Sequence, residues 1–416
     1  MKVPIAIVGC GGMGRRHLNG ILELHEQKSS PIELVAVCDL RQDNADHLAT
    51  DAEKLLGTRP LAFADQEEMK RRLPDLQAVI ITTDAGSHHK VACQAFDLGL
   101  HVLCEKPLGL TPRACNLILA AQTRSGKYLS VAENYRRDPM SRLTRALIDS
   151  GIIGDPQLYI EAGAGSGNQI LITPWRHKKE SGGMLLDGGV HNADMMFYSL
   201  GDVQQLFAKV ALWEKIRYKP ESSGALAGFY DRWQAEMPDS IEATAEDTLV
   251  SVIQFSNGTL GQWTQSYAAH GKGFGHKVIY GSKGSLIPGG IRNGISPIIN
   301  LDRRDELSGE SLLEFVPEFH LDEITTRLFG AERLSSFSIP FPAVDRKLLA
   351  IEIFELADCI LNGQTPEVDG RIGRRAVALC YAAFESGLSN QPVTLDDIET
   401  EKINAYSDEI NQLIRI

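Results

Sequence analysis

The sequence predicts an α/β protein: a doubly wound parallel sheet at the N-terminus, then a larger α/β domain on a mostly antiparallel sheet. Three observations predict it. Residues 1–135 alternate short β-rich runs with segments of helical periodicity, the pattern of parallel strands wrapped by helices. A glycine motif, Gly9-Cys10-Gly11-Gly12-Met13-Gly14, ends the first apolar run and opens the first helical one. Beyond Pro139 the strand-like runs lengthen, and two of them are separated by Asn257-Gly258, a strong hairpin signal.

Each element follows from local pattern. Residues 3–8 are a continuous apolar run, read as a buried strand, and Leu18, Ile21 and Leu22 mark one face of the next helix. Residues 33–38, 78–82, 101–104 and 128–132 read as further strands, with Val91, Ala92, Ala95 and Phe96 at helical spacing between two of them. The second domain, 136–416, begins with a helix over 140–149 and a Gly-rich turn at 150–156. Its strand-like segments are 157–162, 205–213, 248–255, 261–268 and 277–280. Residues 214–246 and 287–345 show no period and are read as large loop insertions. Helices are expected again over 347–361 and 371–386.

Composition narrows the function. The 416 residues hold 42 basic and 54 acidic side chains, a formal charge of −12 without a basic cluster, which disfavours a nucleic-acid partner. Hydrophobic residues at 43% and charged ones at 23% match a folded globular chain rather than a disordered one. No window approaches the ~20 apolar residues of a membrane span, and the apolar stretch before Gly9 is too short for a signal peptide. The seven cysteines are scattered and lie mostly in apolar runs, read as buried thiols of a cytoplasmic protein. No set of residues has metal-ligand spacing, so no metal is expected.

The chemistry-bearing residues begin with the glycine motif. Gly9 permits a tight turn, Gly11 lets a pyrophosphate approach the backbone, and Gly14 lets helix and strand pack closely. Gly12 and Met13 open a helix whose N–H groups face an anion. Asp39 ends the second strand 25 residues after Gly14, where a carboxylate accepts from the adenosine ribose and repels a 2′-phosphate. The expected cofactor is therefore NAD. Arg41, two residues on, leaves NADP possible. Glu105-Lys106-Pro107 stands at the C-terminal end of a strand, the edge where such sheets bind ligands; a surface ion pair is the other reading. Asp187 and His191 are four apart beside Gly188 and Gly189, so on a helix they share a face. They suit a base with its orienting carboxylate; a satisfied core histidine and a metal half-site are the other readings, the last without a third and fourth ligand at sensible spacing.

With these pieces in order, the chain resembles the Gfo/Idh/MocA family, named for glucose-fructose oxidoreductase, inositol dehydrogenase and a rhizopine-catabolism protein. The matching residues are the Gly9–Gly14 loop, Asp39, Thr83 to His88, Glu105-Lys106-Pro107, Trp175-Arg176, and Asp187-x-x-x-His191. Residues 363–370 followed by Pro392-Val393 are also similar to family C-termini. The resemblance implies a Rossmann domain over 1–135 and a substrate-binding and oligomerisation domain over 136–416. It implies a catalytic set of Lys106, Asp187 and His191: Lys106 approaches the reacting hydroxyl and the nicotinamide, His191 is the general base, and Asp187 binds or orients. Thr83, His88, Glu105 and Lys106 would line the cofactor, and Trp175 and Arg176 would lie near its nicotinamide end. A buried anchor and an ion pair is the other reading of that last pair. Many members have Thr-Pro-Asn where this chain has Thr83-Asp84-Ala85.

The implied activity is NAD(P)-dependent oxidation of a secondary hydroxyl of a sugar, inositol or related cyclic polyol, or the reverse ketone reduction. A redox-neutral NAD-dependent glycosidase of the same superfamily, and a dihydrodiol or aldehyde oxidoreductase, are the alternatives. Family members pair sheets across a two-fold axis, which implies a homodimer or homotetramer.

Overall fold

A computed structural model describes residues 2–27, 30–221 and 236–416. The chain divides into two compact units. One comprises Met1–Asn134, Asp345–Arg374 and Ile416, the other Tyr135–Val344 and Arg375–Arg415. The first unit thus takes back a segment, 345–374, that local pattern places with the second domain.

The first unit holds six parallel strands: β1 (Val3–Val8), β2 (Ile32–Cys38), β3 (Leu61–Phe63), β4 (Ala78–Ile81), β5 (His101–Glu105) and β6 (Leu129–Ala132). Their order is β3-β2-β1-β4-β5-β6, so the chain reverses its direction of winding between β1 and β4. β1 and β4 are buried on both faces almost throughout, as continuous apolar runs predict. β3 escapes the sequence reading because three residues carry too little alternation.

Helix α1 (Gly12–Glu26) buries Leu18, Ile21 and Leu24, whereas Leu22, expected on that face, is only partly buried because it lies beside rather than one turn from Ile21. The long helix Phe341–Asn362 returns to it from far along the chain. Arg16 reaches Asp345 with both prongs, at 2.9 and 2.5 Å, and Glu23 pairs with Lys347 at 2.7 Å and with Arg346. A Cβ on Gly20 would stand 3.0 Å from that of Leu349, so glycine brings the two helices close.

The second unit is organised on a nine-stranded sheet. Its strands are β7 (Pro156–Ser166), β8 (Val203–Ala211), β11 (Thr248–Phe255), β12 (Leu260–Ala269), β13 (Phe274–Gly281), β14 (Gly284–Ile287), β15 (Ile298–Leu301), β16 (Leu307–Ser308) and β17 (Val393–Thr394). They run β16-β15-β14-β13-β7-β12-β11-β8-β17, antiparallel except for the β7–β12 pair. Asn257-Gly258 forms the expected hairpin: Phe255 N donates to Thr259 O, and Gly258 has φ +90°.

The described residues of both insertions hold regular elements that their sequences do not show. In the first, β9 (Ile216–Tyr218) pairs with β10 (Ser240–Glu242), while residues 222–235 lie outside those described. The second supplies β15 and β16, a 3-10 segment (Gly309–Phe315) and a helix (Glu323–Phe329). Elements of two to seven residues are shorter than a readable hydrophobic period. The helices expected over 347–361 and 371–386 are present as Phe341–Asn362 and Gly370–Ser389. Among the described residues, no helix is long and apolar enough to cross a membrane.

Two histidines serve the fold as neutral acceptors. His101 Nδ1 accepts from Tyr128 N at 3.0 Å and His177 Nε2 from Leu171 N at 2.8 Å. Burial, helped by Lys127 in one case and Arg217 in the other, lowers each pKa to about 4. Each must therefore take up a proton on unfolding below its ordinary value of ~6.5, so its stabilisation is lost as pH falls from ~6.5 toward 4. Asp138, raised by burial to about 6, opposes this with one proton bound on folding. Melting temperature should fall over that window. His101→Asn or His177→Gln, which keep an acceptor but do not titrate, should each flatten the curve.

Candidate active site

In the first unit, the glycines divide the work between protein and ligand. Gly9 has φ +101°, and a Cβ there would lie 2.7 Å from the Thr82 carbonyl carbon. On Gly14 a Cβ would stand 2.3 Å from Gly9 O, so helix and strand can meet only through glycine. On Gly11 it would meet nothing within 4 Å, so the loop offers bare backbone outward. Gly12 and Met13 form the start of α1, where N–H groups point along the helix axis.

Asp39 is fastened to this loop. Its Oδ2 accepts from Cys10 N at 2.7 Å, and its Oδ1 accepts from Arg41 N at 2.9 Å and Asn44 Nδ2 at 3.3 Å. A carboxylate held beside a bare glycine loop fits a ribose diol next to a pyrophosphate. The guanidinium of Arg41 is engaged with Asp43, at 2.9 and 3.3 Å, and both side chains are exposed.

At the ends of β4 and β5 the motif residues brace one another. His88 is buried, with Nδ1 2.8 Å from Pro107 O and Nε2 3.2 Å from Thr83 O, so one imidazole spans the two loops. Ser87 Oγ donates to Thr83 Oγ1 at 2.8 Å. The Lys106–Pro107 peptide is cis. Glu105 turns inward: its Oε1 lies 2.7 Å from His17 Nε2, and its Oε2 accepts from Lys106 N at 3.2 Å. Burial alone would raise its pKa, but the bond to His17 and the charges of His17, Lys106 and Arg16 outweigh that and hold it below the usual carboxylate value. Sequence reasoning missed His17. Its signal is its place on α1, one turn past Gly14 on the buried face.

In the second unit, the pair expected on one helix sits at a junction. Asp187 ends α7 (Gly183–Asp187), His191 lies in the first turn of α8 (Gly189–Leu200), and Gly188 joins them. The glycines here make room for protein rather than for a ligand. A Cβ on Gly188 would lie 2.4 Å from the Tyr267 hydroxyl, and one on Gly189 would crowd Cys380 and Trp263 at 3.1 and 3.3 Å. Arg176 is buried, donates to Asp187 Oδ2 at 3.0 Å and Thr173 Oγ1 at 2.8 Å, and lies over the Trp175 ring. Trp175 itself is half-exposed.

The His191 ring stacks on Tyr135, centroids 4.1 Å apart and 5° from parallel. Tyr135 is steadied in turn, because the neighbouring Arg136 forms a buried fork to Asp194 of α8 at 2.6 and 2.7 Å. Asn192 Nδ2 donates to Glu161 Oε1 at 2.5 Å. Arg136, Asp194 and Glu161 are further residues of this cluster, and no sequence motif marked them.

Two family models match this chain: the oxidoreductase family with an NAD-binding Rossmann fold, GFO/IDH/MocA, over residues 3–133, and the GFO/IDH/MocA C-terminal domain over 141–287. The chain belongs to this family. It is an oxidoreductase, and its cofactor is NAD.

Curated relatives within the family agree over long stretches. Levoglucosan dehydrogenase of Pseudarthrobacter phenanthrenivorans is 29% identical over 74% of this chain and 75% of its own. Myo-inositol 2-dehydrogenase of Thermotoga maritima is 22% identical over 95% and 99%. An NAD binding oxidoreductase from Klebsiella pneumoniae shares the fold, with a TM-score of 0.74 at 20% identity over 95% of this chain and 99% of that one.

The glycines predict separable defects. Gly11→Ala, whose Cβ meets no other protein atom within 4 Å, should leave melting within ~0.5 kcal/mol of wild type while weakening NAD binding at least ~10-fold. Gly14→Ala should instead cost ~1–3 kcal/mol of stability through overpacking. Thermal melts and a nicotinamide fluorescence titration of both variants distinguish the two roles.

Proposed function

We propose that this protein oxidises a secondary hydroxyl of a cyclic sugar or inositol-type polyol to the ketone. The observation that carries the reading is the imidazole of His191, held flat against Tyr135 four residues after an Asp187 that is itself anchored by Arg176. An imidazole kept in one plane is what a general base needs to meet a hydroxyl proton. The relatives named above, acting on levoglucosan and myo-inositol, support the substrate class.

Bound NAD supplies the acceptor for the hydride that leaves the carbinol carbon. His191 takes the hydroxyl proton, so the C–O bond becomes C=O as the C–H electron pair departs. Lys106, carried on the loop that His88 and Glu105 brace, offers positive charge to the oxygen as negative charge develops on it. Asp187 accepts from Arg176 and keeps a carboxylate beside the helix junction for orienting the substrate.

The test is a panel of levoglucosan, myo-inositol, free hexoses and aryl glycosides with NAD, followed at the NADH absorbance band. His191→Ala should lower kcat by ~10²–10⁴ with NAD affinity unchanged, since Asp39 and the glycine loop do not depend on it. Lys106→Met should be at least as damaging. Near-normal turnover in both variants would overturn the assignment, and aglycone release without NADH would favour the glycosidase.

We also propose a homo-oligomer formed through the open face of the second unit's sheet. Tyr280 opposes Leu158 and Leu158 opposes Leu260, while Val252 opposes Phe207; Gln254 faces Leu260 and Gln262 faces Val252, so two exposed apolar groups lie on the same sheet, spread over five strands. Apolar groups exposed in this way favour burial against a partner. Light scattering should give a dimer or tetramer, and Val252→Glu with Leu260→Glu should reduce it to monomer. A monomeric wild type would sink the idea.

A further inference from the structure

The C-terminal family model ends at residue 287, so the second insertion lies beyond it. That insertion sends one side chain to the His191 cluster. Its first turn is tied to helix α6 (Pro139–Asp149) and to the residue that caps it: Gly289 N donates to Thr144 Oγ1 at 3.1 Å, and Arg292 N to Asp138 Oδ2 at 2.7 Å. Asp138 is fully buried and also accepts from Met140 N at 2.8 Å, so this anchor is rigid. Gly290 N closes the turn on Ile295 O at 2.9 Å.

Arg292 is held at φ +60°, a left-handed conformation that side chains other than glycine, Asn and Asp rarely adopt. Such an outlier persists only where its surroundings enforce it, and it invites a functional explanation. Here the conformation delivers the guanidinium to Tyr135. Arg292 Nη2 donates to the Tyr135 hydroxyl at 3.1 Å, and the guanidinium carbon lies 5.0 Å from the Tyr135 ring centre and 5.3 Å from that of Phe341. Tyr135 is the ring on which His191 stacks.

We infer that Arg292 is a positioning residue for His191: by gripping the Tyr135 phenol it fixes the plane against which the imidazole lies. The last torsion of a histidine is broad and roughly two-fold, so backbone geometry alone does not set the ring's plane. A neighbouring ring sets it, provided that ring is itself held. The insertion therefore contributes to the reaction without touching substrate. The inference rests on the reading of His191 as the base.

The experiment uses the full chain labelled with 13C-histidine, with NAD bound. It reads the His191 ring protons, identified by their loss in His191→Ala. It also reads kcat and KM on whichever of levoglucosan and myo-inositol yields NADH. The stack should displace the His191 signals upfield in wild type. Arg292→Ala should move them toward the free-histidine position and lower kcat by ~10-fold with KM little changed. Tyr135→Phe keeps the stack but not the hydroxyl. It should move the signals and kcat in the same direction by no more than Arg292→Ala does, and the double variant should be no worse than Arg292→Ala, because the phenol–guanidinium bond is lost in all three. Arg292→Gln, which keeps an amide donor, should recover part of the loss and provides a second variant if alanine unfolds the turn.

Unmoved His191 signals in Arg292→Ala, multiplicative losses in the double variant, or a kcat unchanged despite moved signals would each overturn the proposal. Near-normal kcat in His191→Ala with the wild-type upfield shift intact would instead show that the base assignment had failed, and the positioning role would fall with it.

Discussion

Everything in the first unit hangs on the approach of helix α1 to strand β1 at Gly14, where a single added carbon would collide with the Gly9 carbonyl oxygen. Because that contact is permitted, α1 leaves the sheet at a fixed angle with its N-terminus beside the loop of bare backbone. The same angle sets the far side of the helix. Arg16 meets Asp345, and His17 meets Glu105 at the end of β5. One glycine thus couples three things: the cofactor loop, the strand end that carries Lys106, and the helix that returns from residue 341. The buried charges follow from this placement. Arg16 and Asp345 lie out of water, where losing either partner would cost ~3–5 kcal/mol, whereas an exposed pair such as Arg41–Asp43 is worth ~0–1.

The second unit solves a different problem, which is how to keep polar side chains oriented above an apolar sheet. Trp263, Phe255 and Ile253 are buried on this sheet, and Gly189 lets α8 settle onto Trp263. On that foundation the polar groups are held in pairs. Arg136 forks onto Asp194, Arg176 reaches Asp187, and Asn192 donates to Glu161. The rings of Tyr135 and His191 then lie parallel between supports whose rotamers are locked. An imidazole on a helix first turn, backed by ion pairs on both flanks, has little freedom to wander.

Much of this was legible beforehand, for a physical reason in each case. The Gly9–Gly14 motif encodes a turn, a bare face and a close contact within six residues, and all three are local. The buried strands are long apolar runs, and Asn257-Gly258 is hairpin chemistry in two residues. What escaped is non-local or short. His17 reads as an ordinary helical histidine until β5 brings Glu105 beside it, 88 positions along. Arg292 sits in a segment without period, because strands of two to four residues and a one-turn anchor have no periodicity to show. Even Asp187 and His191, correctly spaced for one face, stand on either side of a junction at Gly188, where the Tyr267 hydroxyl leaves no room for a side chain.

By itself, then, the sequence determined the class of the protein and the kind of cofactor it takes: the glycine loop and Asp39 are residue types whose backbone and charge requirements are satisfied within one β-α-β stretch. Tertiary structure alone decided which side chains restrain one another. That Glu105 faces a histidine, that His88 spans two carbonyls, and that an arginine from an insertion grips the tyrosine beneath His191 depend on elements 19 to 157 residues apart being folded onto one another. Local propensity and spacing carry no information about such meetings, because the burial that enforces them exists only once the sheets are assembled.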